Sequence, residues 1–75
     1  MDMLSKIERK AALEIAEGDA QHAYRDLHLY EVRIKLVDGN WQIDYELIDK
    51  HARGGGPHYL ISGETGEIIA KRYEQ

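Results

Sequence analysis

Tyr30-Glu31-Val32-Arg33-Ile34-Lys35-Leu36-Val37-Asp38-Gly39-Asn40-Trp41-Gln42-Ile43-Asp44-Tyr45-Glu46-Leu47 is the stretch that decides the fold. Tyr30, Val32, Ile34 and Leu36 alternate with Glu31, Arg33 and Lys35. Past the turn, Trp41, Ile43, Tyr45 and Leu47 alternate with Gln42, Asp44 and Glu46. A period of two sends alternate side chains to opposite faces of a strand, and Asp-Gly between two such runs is a strong hairpin signal. The stretch reads as a β-hairpin whose apolar face packs on another layer and whose polar face meets water. Two registers bury the same faces. With Asp38-Gly39 at the centre of the turn, Arg33 faces Asp44 but Glu31 faces Glu46, a like-charge pair costing roughly a few tenths of a kcal/mol. With Gly39-Asn40 at the centre, Lys35 faces Asp44 and Arg33 faces Glu46. Charge favours this second register.

The layer beneath the hairpin lies upstream. Met3 to Glu17 is rich in Ala, Leu, Ile, Glu and Lys, all good helix formers. Leu4, Ile7, Ala11 and Ile15 recur at helical spacing, and Ala12 and Ala16 widen the stripe, so an amphipathic helix with one buried face is expected. Gly18 can end it and Asp19 can cap a second short helix over Ala20 to Arg25; the alternative is one longer helix bent near Gly18.

Downstream, Asp49 to Pro57 reads as a loop containing Gly54-Gly55-Gly56. Tyr59-Leu60-Ile61 and Glu67 to Tyr73 then flank Gly63-Glu64-Thr65-Gly66, a second hairpin in which Gly66 takes a left-handed position. If Tyr59, Ile61, Ile68 and Ala70 face the core, Leu60 and Ile69 point away from it. The fold expected is a single α+β domain over residues 1–75, with an N-terminal helix on a four-stranded antiparallel sheet made of two hairpins.

Composition narrows the function. The chain has 75 residues, no cysteine, and 14 acids against 10 Lys and Arg. Disulfides, thiol nucleophiles and cysteine-ligated zinc are thereby excluded. A net charge of -4, with no basic stripe, argues against a nucleic-acid partner, since phosphate neutralisation supplies much of that affinity. Met1-Asp2-Met3-Leu4-Ser5 lacks the basic and apolar regions of a signal peptide, and no apolar run is long enough to span a membrane, so a cytoplasmic location is expected.

Sites of chemistry are sparse. The Gly54-Gly55-Gly56 run is followed by Pro57 and a strand, where a phosphate cradle would lead into a helix N-terminus; a loop entering an edge strand fits better. Of His22, His28, His51 and His58, none is spaced i, i+4 on a helix. His51 and His58 with Asp49 are the one combination that could meet, as a metal or small-ligand site in the loop, and exposed loop histidines are the commoner arrangement. Ser5 and Ser62 are the only serines, and Ser62 opens a turn where its hydroxyl has a structural use. Trp41 shares the parity of Ile43 and Tyr45 and reads as a core residue. Asp44, Glu46 and Asp49 read as a solvated strand face. No cofactor and no catalytic residue is expected. The broken alternation of the second hairpin points instead to a partner-binding patch around Leu60, Ile69, Lys71, Arg72 and Tyr73. An edge strand there can also pair with another chain, as a weak homodimer or by strand addition to a protein partner.

The Ala-rich first helix, Gly39-Asn40-Trp41, Gly55-Gly56 and Thr65-Gly66-Glu67-Ile68 together resemble the small immunity proteins of bacterial polymorphic toxin systems, in particular those with a nuclear transport factor two-like fold. The resemblance implies a non-catalytic protein that binds and neutralises a cognate toxin. The same pattern is similar to the PepSY domain, a helix with antiparallel strands ending in a Thr-Gly-Glu-Ile segment, with Ser62 where that pattern carries an aspartate. That likeness implies protease inhibition or regulation.

Overall fold

Asp38 and Gly39 adopt φ angles of 51° and 79°, the two left-handed residues that a type I′ turn requires. In this computed structural model, which describes residues 6–49, 51 and 54–74, the turn joins Tyr30–Val37 (β1) to Asn40–Leu47 (β2). Leu36 lies opposite Trp41, Arg33 opposite Asp44 and Glu31 opposite Glu46. The register expected from charge, centred on Gly39-Asn40, is therefore corrected: the turn sets it. Its twist matches that of the strands, and the like-charge pair is relieved on the spot. Arg33 reaches Glu31 Oε2 and Glu46 Oε1, each at 3.3 Å, so one guanidinium stands between the two carboxylates.

Pro57–Ile61 (β3) pairs antiparallel with β2, and Ile68–Tyr73 (β4) pairs antiparallel with β3. The strands thus lie in chain order, with β1 and β4 at the edges. The helix Arg9–Ala23 (α1) covers one face over β2 and β3. This is the two-layer α+β arrangement that the hydrophobic periods imply.

α1 runs through Gly18 without a break, and a short 3₁₀ turn at Leu27–Leu29 follows it. Asp19 is accordingly inside the helix and caps nothing. The helical face is also rotated from the one expected. Ala12, Ala16 and Ala20 are fully buried, while Ile7, Leu13 and Ile15 flank them half-buried. Small side chains along the centre of the contact let the helix backbone lie close to the sheet. Met3 and Leu4 lie outside the described residues, but the expected start is corrected all the same: the helix begins at Arg9, and Ile7 precedes it. Against the alanines pack Ile43 and Tyr45 of β2 and Tyr59 and Ile61 of β3, with Trp41 half-buried at the margin. Among the described residues no side chain of β1 or β4 is fully buried.

The second hairpin turns on Gly66, at φ 82°. Ser62 Oγ accepts from the amides of Glu64 and Thr65 at 3.2 Å, and Thr65 Oγ1 accepts from the amide of Glu67 at 3.1 Å. Pairing slips between Leu60 and Ile61: Leu60 faces Ala70 but Ile61 faces Ile68, so Ile69 is an extra residue in a bulge. Tyr59, Ile61 and Ile68 lie on the core side as expected. Ala70 does not; it is exposed, because the bulge inverts the alternation beyond Ile69.

Two substitutions test this packing. A Cβ at Gly18 meets nothing within 4 Å, so Gly18→Ala should stabilise the domain by about 0.5–1 kcal/mol in urea unfolding. A Cβ at Gly56 would lie 2.7 Å from the carbonyl oxygen of Tyr45 and 2.9 Å from the ring of Tyr30. Gly56→Ala should therefore destabilise by about 1–3 kcal/mol. Equal stability of both variants would contradict the placement of the helix and of the loop.

Candidate functional site

On the face away from α1, alternation brings two rows of side chains together across the strands. Asp44 of β2 lies opposite His58 of β3, which lies opposite Arg72 of β4. Gln42 lies opposite Leu60, which lies opposite Ala70. Gln42, Asp44, His58, Leu60, Ala70 and Arg72 line a shallow cleft with an apolar floor of Leu60 and Ala70 and a charged rim. β1 extends the polar row, because Arg33 lies opposite Asp44. Read across the sheet, the row is Arg33, Asp44, His58 and Arg72.

His58 is the centre of this rim. Its Nδ1 is 2.7 Å from Asp44 Oδ1 and its Nε2 is 3.2 Å from Glu74 Oε1. Glu74 also meets Arg72 at 3.2 Å, and the second oxygen of Asp44 accepts from Gln42 Nε2 at 3.1 Å. Both ring nitrogens face carboxylates, so both must donate for both contacts to be hydrogen bonds, and only the imidazolium can do that. Burial opposes the charge on His58, but the bonds to Asp44 and Glu74 outweigh it and raise the imidazole pKa above its ordinary value. Burial likewise opposes ionisation of Asp44, and the hydrogen bonds from His58 and Gln42 overcome it to hold the carboxyl below the usual carboxylate range.

A second polar cluster lies on the helix side. Asp19 Oδ2 accepts from Tyr59 Oη at 2.9 Å and from Tyr73 Oη, and Oδ1 accepts from Lys71 Nζ at 3.1 Å. The bond from Tyr73 is the largest influence on Asp19; together with those from Tyr59 and Lys71 it offsets burial and lowers the carboxyl pKa. Burial, then the bond to Asp19, pushes the Tyr59 hydroxyl well up. This one carboxylate ties α1 to both β3 and β4. Around it the tyrosines form an edge-to-face chain in the order Tyr73, Tyr24, Tyr30, Tyr45, Tyr59, with ring centroids 5.8 to 6.5 Å apart. Such pairs contribute about 0.5–1.5 kcal/mol each beyond their burial.

The expected partner-binding patch is thus divided by the bulge. Leu60 and Arg72 lie on the helix-free face, Leu60 half-buried and Arg72 exposed. Ile69 is 53% exposed at the bulge itself. Lys71 and Tyr73 turn to the helix side, where Asp19 holds both and the Lys71 ammonium lies 5.4 Å from the centre of the Tyr73 ring. His51 is exposed, with its amide donating to Asp49 Oδ1 at 2.9 Å, while both ring nitrogens of His58 face carboxylates. Among the described residues no group of three or more His, Asp and Glu is placed to hold a metal ion. At the glycine run, a Cβ on Gly55 would fall 2.6 Å from Glu74 Oε1, so a carboxylate stands beside the loop and would repel a phosphate. Trp41 donates its indole N–H to the carbonyl of Ile7 at 2.8 Å.

The Asp44–His58–Glu74 arrangement escaped sequence reading because the three residues lie on different segments. Only the pairing of β2 with β3 puts Asp44 and His58 opposite each other. Asp19 escaped because an aspartate after a glycine has the signature of a helix cap. The single signal for its true place is its spacing, one residue from the buried Ala20 and three from Ala16.

The His58 contacts give stability a pH dependence of definite sign. A pKa raised on folding contributes stability that is complete below the unfolded value of about 6.5 and is lost as pH rises through the folded value. Asp44 and Asp19, with lowered values, contribute stability present above about 3.9 and lost as pH falls through their folded values. Unfolding free energy should therefore decline as pH rises from the mildly acidic range through neutrality, and His58→Gln should flatten that decline while leaving the acid limb. An unchanged decline in His58→Gln would assign it to another group.

The chain matches no protein-family model, no curated protein and no solved structure.

Proposed function

We propose that this chain is a non-catalytic protein-binding module of the cytoplasm that offers the helix-free face of its sheet to a protein partner. The observation that carries the reading is the cleft on that face, where Leu60 and Ala70 form an apolar floor between Arg72 and the Asp44–His58 pair. An apolar floor rimmed by charge is the make-up of a contact site, in which the floor supplies affinity and the rim supplies selection and register. Support for a binding role over an acid–base role comes from the same rim. His58 is engaged by two carboxylates at once, which favours its charged form and leaves neither ring nitrogen to take a proton from a substrate.

The specific form of the proposal is an immunity protein that binds and neutralises a bacterial toxin. It rests on the resemblance of the Ala-rich helix, Gly39-Asn40-Trp41, Gly55-Gly56 and Thr65-Gly66-Glu67-Ile68 to that class. In this fold those segments build the close helix contact, the type I′ turn, the approach of the loop to Tyr45 and the second hairpin turn. The Ser62 to Glu67 turn equally supports the PepSY-like reading, in which the bound partner is a protease.

The test is growth rescue and calorimetry with the toxin candidate taken from the neighbouring reading frame. The wild-type chain should restore growth and bind. Leu60→Glu and Arg72→Glu, at a half-buried and an exposed position of the helix-free face, should weaken binding by about tenfold or more with the fold retained. Rescue and binding that survive both substitutions would overturn the assignment of this face, and absence of any complex would overturn the immunity reading.

A further inference from the structure

We infer that β1 is an intermolecular edge, at which two copies of this chain pair antiparallel through Tyr30–Leu36 to continue the sheet from four strands to eight. The two copies would be related by a twofold axis at Arg33. This goes beyond the proposed binding role, which rests on the cleft lined by β2, β3 and β4.

The two edges of the sheet are built differently. Both edges carry basic residues, but β4 has a bulge at Ile69, a feature that discourages another strand from adding to an edge. β1 is regular over Tyr30–Val37, with no break in its pairing to β2. The carbonyl of Leu29 accepts from the amide of Ile48, so odd-numbered residues direct their backbone groups to β2. The N–H and C=O groups of Val32, Ile34 and Leu36 consequently point outward along the edge, together with the C=O of Tyr30, whose N–H is taken by the carbonyl of Leu27.

The side chains of those same residues lie on the helix side of the sheet, opposite Leu47, Tyr45, Ile43 and Trp41. α1 packs chiefly over β2 and β3, and Tyr30 and Ile34 are half-buried against the core. Val32 and Leu36 are each left 41% exposed. A straight edge with unpaired backbone and an uncovered apolar face is the feature that single-domain proteins usually blunt.

The occupant follows from charge. An antiparallel copy must place its own even-numbered residues against these, which allows registers two residues apart. Centred on Ile34, pairing sets Arg33 against Lys35 of the second copy, twice. Centred on Val32, it matches Glu31 with Arg33 but runs the ends of the strand onto the 3₁₀ turn at Leu27–Leu29. Centred on Arg33, it sets Glu31 against Lys35 twice, Val32 against Ile34 and Tyr30 against Leu36. The single like pair, Arg33 with its own copy, is already compensated by Glu31 and Glu46 at 3.3 Å. The strand is its own complement in both charge and apolar pattern.

Sedimentation of the full chain from about 1 µM to about 500 µM should show a monomer–dimer equilibrium. Lys35→Glu makes both cross-copy pairs repulsive and should weaken the dimer about tenfold or more, and the charge swap E31K/K35E should restore it. Val32→Pro removes an amide that the monomer does not use and should leave a folded monomer at every concentration. Amide exchange at Val32 and Ile34 should slow as concentration rises. A wild-type chain that stays monomeric, or a dimer indifferent to both Lys35→Glu and the swap, overturns the proposal.

Discussion

One helix about 10 Å across cannot cover four strands spaced about 4.8 Å apart. The rest of this molecule is arranged around that mismatch. α1 lies over β2 and β3, and every fully buried apolar side chain of the sheet among the described residues comes from those two strands. Ala12, Ala16 and Ala20 make the most of so small a contact by bringing the helix in close. The edge strands must be managed by other means, and the two edges are managed in opposite ways.

At β4 the solution is polar. Asp19 reaches from the helix to Tyr59, Tyr73 and Lys71, and Tyr24 packs edge-on to Tyr73 while donating its hydroxyl to the carbonyl of Glu74 at 2.7 Å. The carboxylate is partly sheltered, yet three donors converge on it, so its charge is held in place at little desolvation cost. This arrangement takes Lys71 and Tyr73 out of the free surface and leaves Ile69 at the bulge. At β1 no such reach exists, because no polar helix residue extends to that side among the described contacts, and Val32 and Leu36 remain half-open. The contrast explains why one edge is closed and the other is suited to a further strand.

The helix-free face follows a separate logic. It has no second layer, so its residues are selected by water and by one another. Asp44, His58, Glu74 and Arg72 form a connected set of alternating charge, and Gln42 completes the coordination of Asp44. Arg33 continues the same pattern toward β1 through Glu46 and Glu31. The face therefore carries fixed charges around Leu60, where a uniformly solvated surface would carry mobile ones. The proposed binding role rests on that difference.

The amino-acid sequence by itself determined the element types and their order, since periods of two and of 3.6 residues are local properties of the chain. It also determined both turns, because Gly66 and the Asp38-Gly39 pair are read from φ preferences that depend on nothing distant. The charge argument for the first hairpin failed for the same reason: a two-residue turn fixes the backbone of both strands, whereas Arg33 is long enough to satisfy Glu31 and Glu46 from either register. What only the tertiary structure decided were the choices that compare distant segments. The bulge at Ile69, which sends Lys71 and Tyr73 to Asp19 and Arg72 to the cleft, depends on how β4 meets β3. The continuity of α1 through Gly18 was settled by burial of Ala16 and Ala20 on either side, a packing gain that exceeds the roughly 1 kcal/mol a helical glycine costs. The Asp44–His58–Glu74 set exists because strand pairing places opposite one another residues that lie far apart along the chain, and no local preference encodes that meeting.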